Sequence, residues 1–470
     1  MDPAPRGTKT VVENTDAVPS FVARVVRRAL EEGARPGELL SAAIAEIDAR
    51  LQAQVQAILH AGPFRRLESA WSSLEYVVAA KPQDTLVRIR VLNVSRDEIL
   101  ADLEDAVEFD RSALFQHIYE HEFGQYGGEP YAILVSDLAF ANDPEDLEIL
   151  SGLSGIAAAA HAILLASPSP ELLGLDSWSQ LSVFNIPEQI AGRGGFNSWQ
   201  ALRETSDTRY IGLVMPGILL RRPYRPDDPD RLLRLREDAS AGDGSGLSWG
   251  SGAYALAERA MSAFHAFGWC TAIRGLVDGA GVVEGLPEIS CATDKEGLVV
   301  PPPVEVAVTE SQEKSLTELG LIPLCRVAGT SQVSFFGVPS LHQPRRVDDP
   351  MVATNLKLSA QVPYMLAASR FAHYLKVIMR DRVGQFTSRD EVQRDLANWL
   401  ARYTLEDDDA TLERQAQYPL RSYHVAVREK PGRPGELEAI TQLRPHYQVE
   451  DPGVTLRLAV ELPDPDKTQR

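Results

Sequence analysis

The sequence predicts an α/β fold with a mixed sheet, preceded by a helical arm and followed by a domain that ends in antiparallel strands. Between residues 63 and 368, short apolar segments typical of strands alternate with helical patterns, which indicates a partly parallel sheet. Residues 20–62 show helical periodicity alone, and residues 422–462 show the two-residue alternation of strands. We therefore divide the chain into a terminal arm (1–19), a helical arm (20–62), a main domain (63–368) and a C-terminal domain (369–470).

Composition and charge limit the possible functions. The chain has 470 residues, 44% of them hydrophobic, which suffices for a sizeable core and for two or three domains. It carries 66 Asp and Glu against 47 Lys and Arg, a formal net charge of -19. Such an acidic surface repels nucleic-acid phosphates and anionic lipids, so we expect neither nucleic acid nor membrane among its partners.

The sequence lacks the usual signals of secretion. Its N-terminal residues have no apolar core of the kind a signal peptide needs, and no run of about 18 apolar residues occurs anywhere. Cys270, Cys291 and Cys325 are widely spaced and form no CxxC pair, so neither a disulfide framework nor a zinc site is indicated. We expect a cytoplasmic protein in a reducing compartment.

The N-terminal segments predict surfaces that need a partner. The polar terminal arm contains one short apolar alternation at Thr8–Val12, with Val11 and Val12 as its interface candidates. We expect it to form a strand only where another chain supplies an edge; the alternative is a disordered tail. The helical arm presents more apolar side chains than a lone helix can cover, so we expect it to pack on another surface. The predicted packing residues of the helical arm are Phe21, Val25, Leu40, Ile44, Ile47 and Leu51.

The main domain is predicted to alternate helices and strands. Ser95 is predicted as the N-cap of a helix that ends near Ala106, and another helix is predicted at Ser251–Phe267. Apolar periodicity predicts further helices at residues 63–80 and 144–160. Strands are predicted at Thr85–Val94, Tyr131–Val135, Ala162–Ala166, Ile211–Met215 and Gln332–Gly337.

The C-terminal domain is predicted to begin with helices and to end in strands. In the helix Arg370–Gly384 the apolar residues form one stripe, and His373 falls among the charged remainder. A second helix follows at Ser388–Tyr403. Alternating strands at the end of a chain leave an open edge that another chain can join. The candidate inter-subunit strand residues are Tyr423, Val425, Val427, Leu437, Ile440, Leu443, Val454, Leu456, Leu458 and Val460.

Patterns that would support catalysis or cofactor binding are weak. Gly192–Gly195 lacks the spacing of a phosphate-binding loop. His117 and His121 have the i, i+4 spacing of a metal-binding helix face but not the glutamate of an HExxH motif, so a surface helix is the favoured interpretation. Acidic runs such as residues 406–409 are typical of solvated faces. We expect no enzymatic activity, no catalytic residues, no cofactor and no metal.

Several stretches, taken in order along the chain, resemble the large sheath subunit of bacterial type VI secretion systems, the TssC/VipB family. They include RETSDTRYIGLVMP at residues 203–216 and RPHYQ at residues 444–448. The other matching stretches are Ile44–Gln54, Pro63–Leu74, Ile149–Gly174, Gly268–Gly285, Leu319–Cys325 and Arg370–Gly384.

The resemblance implies a structural role. In that family the large subunit pairs with a small sheath subunit (TssB/VipA-like), and further copies of the heterodimer stack as rings around an inner tube of Hcp protein. The sheath assembles on a baseplate, and its contraction drives the tube and its effectors outward. The resemblance also implies that terminal strands link neighbouring heterodimers.

One feature of the family is not evident in this chain. Family members carry an N-terminal helix that a ClpV-type unfoldase grips, whereas the roughly 20 mostly polar residues before Phe21 here show no such helix, so recycling by ClpV is doubtful. An alternative reading is the sheath protein of a phage-tail-like contractile injection device, which the neighbouring genes would distinguish. A third, an α/β enzyme, requires a cleft with a titratable group of shifted pKa.

Overall fold

The computed structural model describes most of the chain outside the N-terminal segment and several loops. The residues described are 23, 27, 36–106, 108–123, 127–183, 196–226, 235–239, 246–276, 280–289, 291–292, 298–380, 389–407, 410–429, 437–446 and 456–461. Among the predicted positions, Val11, Val12, Phe21, Val25 and Val454 lie outside the described residues, as do the loops at 192–195 and 430–436.

A six-stranded mixed sheet forms the centre of the main domain. Its strand order is β1-β2-β3-β9-β10-β6, in which β1, β2, β3 and β9 are parallel and the last two pairings are antiparallel. The predicted α/β class with a partly parallel sheet is therefore confirmed. The strands are β1 (Ile133–Phe140), β2 (Ile163–Pro168), β3 (Ile211–Met215), β6 (Val282–Val283), β9 (Leu321–Arg326) and β10 (Val333–Phe335), with the short pairs β4 (Ile218–Leu219) with β5 (Trp249–Gly250) and β7 (Cys291–Ala292) with β8 (Leu298–Val299).

Helices flank this sheet and follow it along the chain. The predicted helix 144–160 is found at the predicted bounds, and the predicted N-cap Ser95 accepts a hydrogen bond from the Glu98 amide. Ser251, predicted as the first residue of a helix, is the N-cap of that helix and accepts from the Ala253 amide. The helices are α1 (Pro36–Leu59), α2 (Gly62–Ala80), α3 (Arg96–Asp105), α4 (Pro144–Ala160), α5 (Phe196–Glu204), α6 (Gly252–Phe267), α7 (Glu310–Glu318), α8 (Pro350–Ser359), α9 (Val362–Arg380), α10 (Arg389–Ala401) and α11 (Leu412–Gln417). Short helical turns lie at Phe109–Arg111, Ala113–Phe115, Gln116–Glu120, His121–Phe123, Pro170–Leu173, Trp178–Val183 and Asp207–Tyr210.

The two faces of the six-stranded sheet carry separate hydrophobic clusters. One cluster joins Leu213 of β3 to Ile149 and Ile156 of α4, and the other joins Val214 of β3 to Leu256 of α6 and Tyr364 of α9. Successive residues of β3 thus face opposite clusters, and all five residues of this strand are buried. A strand buried on both faces explains why its sequence is a continuous apolar run.

The predicted strand at residues 85–94 is wrong as a paired element. The segment is extended, but it forms no strand pairing with another described residue. Val87 and Ile89 are half-buried, whereas Leu86, Arg88 and Arg90 are exposed. The predicted alternation is therefore present over residues 85–90, but it stops at Val91, which was predicted to be buried and is 67% exposed. A hydrogen-bonded neighbouring strand is also missing among the described residues.

The C-terminal domain is a three-stranded antiparallel sheet packed on helices. Strands β11 (Leu420–Glu429), β12 (Leu437–Pro445) and β13 (Leu456–Glu461) follow one another in spatial order. Helix α10 packs against β11, and α9 packs against β12 and β13. The predicted domain boundary at 368/369 falls within the continuous helix α9, which begins at Val362, eight residues earlier in the chain than the predicted start at Arg370.

The described contacts divide the chain into two compact units. The first comprises residues 1–67 and 223–246, and the second comprises residues 68–222 and 247–470. In the first unit, α1 contacts the segment 235–239, where the side-chain amide of Gln52 donates to the backbone oxygen of Arg236 at 3.3 Å. The second unit holds the six-stranded sheet and the C-terminal sheet.

Helix α9 contains a buried histidine that the periodicity assigned to the charged face. His373 is 2% exposed; its Nε2–H donates to the backbone oxygen of Ala160 at 2.8 Å, and its Nδ1 accepts from Arg370 at 3.4 Å. Burial, with the positive charge of Arg370, lowers the pKa of His373 to about 3. Burial also lowers the pKa of the neighbouring His161 well below its usual value. Both histidines are therefore neutral in the folded protein.

We expect the folded state to lose stability in acid through these two histidines. In the unfolded chain a histidine titrates near pH 6.5, whereas folded His373 titrates at about 3. The stability that neutral His373 contributes is therefore complete above pH 6.5 and is lost as the pH falls from 6.5 towards 3, by at most about 1.4 kcal/mol per pH unit. Urea unfolding at pH 7.5, 6.0 and 5.0 measures this slope.

The matched variants are His373→Gln, whose amide can still donate to Ala160, and His424→Gln at an exposed position of β11. His373→Gln should flatten the acid dependence, and His424→Gln should leave it unchanged. Equal slopes for wild type and His373→Gln would show that His373 does not titrate between the folded and unfolded states as described.

Candidate assembly interface

The C-terminal sheet places the predicted inter-subunit residues in a fixed register. Val427 pairs with Ala439, Val425 with Thr441 and Tyr423 with Leu443 across β11 and β12. Beyond β12, the backbone register pairs Leu456, Leu458 and Val460 of β13 with Leu443, Thr441 and Ala439. Most of the predicted residues, from three separate stretches of sequence, are therefore brought into one sheet.

One face of this sheet belongs to the chain's own core. Val425, Val427 and Leu443 are buried in a cluster with Phe371 of α9 and Leu396 of α10, and Tyr423 and Leu437 pack at its margin. Since these side chains are covered by the chain itself, they can hold the sheet in place but cannot be the surface that a second chain touches. Ile440 lies on the opposite face and is half-buried.

The two edges of the C-terminal sheet differ. At the β11 edge, the Leu405 amide donates to the Leu420 oxygen at 2.8 Å, and the side-chain oxygen of Gln393 accepts from the Val427 amide at 3.3 Å. The β11 edge is therefore partly covered by residues of the same chain. Strand β13 pairs with β12 on one side and with no other described strand, so the open edge is that of β13.

A buried hydroxyl lies in the middle of the sheet. The side chain of Thr441 is fully buried on β12, and its Oγ1 has no hydrogen-bond partner among the described residues. Leaving a buried hydroxyl unsatisfied costs about 1–3 kcal/mol of folding free energy.

Helix α1 presents a second candidate surface, which we call the arm stripe. It consists of Leu40, Ile44, Ile47, Leu51 and Ile58, whose side chains are 37–56% exposed. At 100° per residue these five positions fall within an arc of about 60°, so they form a single apolar line along one side of the helix. Four of the five are among the predicted packing residues, and no described residue of the first unit covers them.

Other exposed features were not predicted as interface from the sequence. Trp71 and Val78 of α2 are 66% and 51% exposed, and Leu86 of the extended segment 85–94 is 90% exposed. Trp71 and Val78 are seven residues apart, so helical periodicity would place them on one face. Periodicity does not reveal which apolar face a chain leaves uncovered, because the sequence of a core stripe and that of a docking stripe have the same pattern.

Neither Cys270 nor Cys325 is an activated nucleophile. Burial raises the pKa of the Cys270 thiol to about 11 and that of the Cys325 thiol to about 12, so both are protonated at neutral pH. His117 and His121 contact each other edge to face, with ring centroids 5.2 Å apart. Among the described residues no group of three metal ligands occurs, and no helix is long and apolar enough to cross a membrane.

Comparison with known families places most of the chain in sheath proteins. Residues 41–342 match the VipB family model, described as the EvpB/VC_A0108 tail sheath N-terminal domain. Residues 352–462 match the model of the EvpB/VC_A0108 tail sheath gpW/gp25-like domain. The resemblance expected from the sequence is therefore confirmed, and the two matches together include the arm stripe from Ile44 to Ile58, the six-stranded sheet and β11 to β13.

A curated relative agrees with the family models. The chain is 39% identical over 463 residues to the type VI secretion system sheath protein TssC1 of Pseudomonas aeruginosa, a match that covers 95% of this chain and 91% of the relative. Two solved structures are similar at lower levels. A chain of the anti-feeding prophage baseplate is similar over 78% of this chain and 82% of its own length, with 14% identity and a TM-score of 0.40. A chain of the contracted anti-feeding prophage sheath is similar over 66% of each chain, with 13% identity and a TM-score of 0.34.

We expect Thr441→Val to stabilise the C-terminal sheet by about 1 kcal/mol, because valine has the shape of threonine but no hydroxyl to leave unsatisfied. The matched control is Thr441→Ser, which keeps the hydroxyl and loses a methyl group, so it should not gain stability. Urea unfolding of the three proteins gives the difference. A Thr441→Val protein less stable than wild type would mean that the hydroxyl is hydrogen-bonded after all.

Proposed function

This chain belongs to the VipB family of tail sheath proteins, and we propose that it is the large subunit of a type VI secretion sheath, a structural protein without catalysis. The observation that carries the proposal is the open edge of β13, in a sheet that packs one face on the chain's own core. A sheath subunit has to bind its neighbours, and an open strand edge can pair with a strand of another chain.

The C-terminal sheet suits a linkage that has to survive movement. A strand added to β13 would be held by backbone hydrogen bonds, which do not depend on a particular set of side chains at the rim. Rigid subunits joined in this way can rotate about the joint during contraction while the paired strands stay together. We propose that β13 pairs with a strand of a neighbouring heterodimer and that its edge links successive subunits.

The arm stripe supports pairing with a small sheath subunit. Its exposed side chains are all leucine or isoleucine, and burying one such side chain contributes about 1.5–3 kcal/mol. Five in one line fit an apolar helix of a partner better than they fit water. We propose that the small sheath subunit covers this stripe, and that the heterodimers assemble in the cytoplasm on a baseplate around an Hcp inner tube.

Removing β13 should separate pairing from assembly. Truncation after His446 deletes β13 but keeps Ala439 and Leu443, which belong to the core, so we expect a folded heterodimer that forms no tubes. Truncation after Glu461 keeps β13 and should still form tubes with the small subunit. Electron microscopy of the co-expressed proteins distinguishes the two, and tubes from the His446 truncation would refute the linkage by β13.

The arm stripe gives an independent test. Ile47→Asp places a charge in the middle of the stripe at an exposed position, so the chain should still fold, while co-purification of the small subunit should fall by at least about tenfold. Ala49→Asp is the matched control, because it is exposed on the opposite side of α1 and introduces the same charge. Equal co-purification of the two variants would show that the stripe is not where the partner binds.

A further inference from the structure

We propose that His117 and His121 form a two-ligand site for a divalent transition-metal ion of the class that prefers imidazole, such as Zn²⁺, Ni²⁺ or Cu²⁺. The sequence alone favours a plain surface helix for this pair, because the glutamate of an HExxH motif is absent. The geometry of the helical segment 113–123 favours metal binding instead. The inference goes beyond the sheath role and does not depend on it.

The two imidazole rings have the separation that a shared metal ion requires. Both side chains are exposed, and their ring centroids lie 5.2 Å apart. Two imidazoles bound to one zinc ion through nitrogens at about 2.0–2.1 Å, at the tetrahedral angle, have centroids about 5 Å apart. The backbone therefore already places the rings correctly, and exposed side chains can turn among their rotamers to aim one nitrogen of each ring at the ion.

No other contact occupies the ring nitrogens of this pair. Among the described residues, neither His117 nor His121 forms a hydrogen bond or an ion pair. The buried histidines differ, since His161 is hydrogen-bonded to Tyr210 and His373 to the Ala160 oxygen. A metal ion needs the lone pair of an imidazole nitrogen. At His117 and His121 it can take that lone pair without breaking a contact of the described chain.

The opposite side of the segment is anchored in the second unit. Phe115, Tyr119 and Phe123 form an aromatic row with successive ring centroids 4.9 and 4.8 Å apart. The Nζ of Lys376, on α9, lies over the rings of Tyr119 and Phe123 at 5.5 and 4.9 Å. Each histidine follows a member of this row by two residues and so projects from the other side of the helix. Packing therefore fixes the backbone, which lowers the conformational cost of binding an ion.

The backbone that carries the pair contains an unusual turn. The His121 amide donates to the Gln116 oxygen, five residues earlier, so residues 116–120 form a π-helical turn. Turns of this kind are rare and are frequent at functional sites. Its position around two exposed histidines is an observation in favour of a binding role that is separate from the spacing of the rings.

The available ligands define the class of ion. Imidazole nitrogen suits zinc, nickel and copper, whereas magnesium and calcium require oxygen ligands. Among the described residues no third histidine, cysteine or carboxylate completes a metal-binding group with this pair. The adjacent Glu122 is buried and paired with Arg90, so it is not a ligand. Water therefore fills the remaining positions, and the affinity should exceed that of a single surface histidine but not reach that of a structural zinc site.

Titration of the full chain with Ni²⁺ tests the site, in protein prepared without a polyhistidine tag. We expect the wild type to bind one Ni²⁺ saturably at micromolar concentrations. His117→Ala and His121→Ala should each weaken this binding at least about tenfold, because the second ligand of a chelate binds at high effective concentration. The double variant should bind no more weakly than either single variant, since each substitution alone removes the chelate. Isothermal titration calorimetry measures all four affinities.

The control variant is His424→Ala, which removes a single exposed histidine on β11 and should leave Ni²⁺ binding unchanged. X-ray absorption of the Ni²⁺-loaded wild type should show two imidazole ligands. The inference is overturned if the wild type shows no saturable binding, if either single variant keeps the wild-type affinity, or if the two losses add in the double variant as for independent sites. Fewer than two imidazole ligands would also overturn it. The proposed sheath role stands or falls separately from these results.

Discussion

The burial of helix α9 (Val362–Arg380) is the constraint on which the second unit depends. Its first half, with Tyr364 and Leu366, packs in the cluster against the six-stranded sheet, and its second half, with Phe371 and Leu375, packs in the cluster beneath the C-terminal sheet. His373 ties the helix to the end of α4 through the Ala160 oxygen. Because one continuous helix belongs to both cores, the two sheets cannot move apart without exposing it to water.

Hydrophobic periodicity predicted the helices and strands whose signal lies within a few consecutive residues. Strand β3 and helix α4 were predicted at their observed bounds, since a continuous apolar run between turns and an N-capped helical stripe each carry their signal within a few residues. The segment 85–94 has the same kind of signal, yet it is unpaired, because pairing depends on a second strand that its own residues do not encode. His373 was misplaced for a related reason: the helix is covered on more sides than a single stripe assumes.

The candidate interface was predictable in its location but not in its detail. The alternation of residues 422–462 predicted the strands, and it grouped Val425 and Val427 on one face. Helices α9 and α10 cover this face, and Gln393 and Leu405 cover part of the β11 edge. Both contacts depend on tertiary structure, which local sequence does not reveal. The strand order shows that the uncovered edge belongs to β13. The candidate contact is therefore the backbone of β13 rather than the side chains that the sequence indicated.

The uncovered surfaces share one physical property. Among the described residues, the β13 edge and the segment 85–94 have no strand partner and the arm stripe has no apolar cover, so each has the form that a strand or helix of another chain can complete. The buried thiols, by contrast, are protonated and enclosed. In the second unit, α9 packs in the cores of both sheets, and the β13 edge lies at the end of one of them. Because its core is close-packed, this unit would transmit an applied force with little deformation. Movement would then occur where its strand edge pairs with a neighbouring chain.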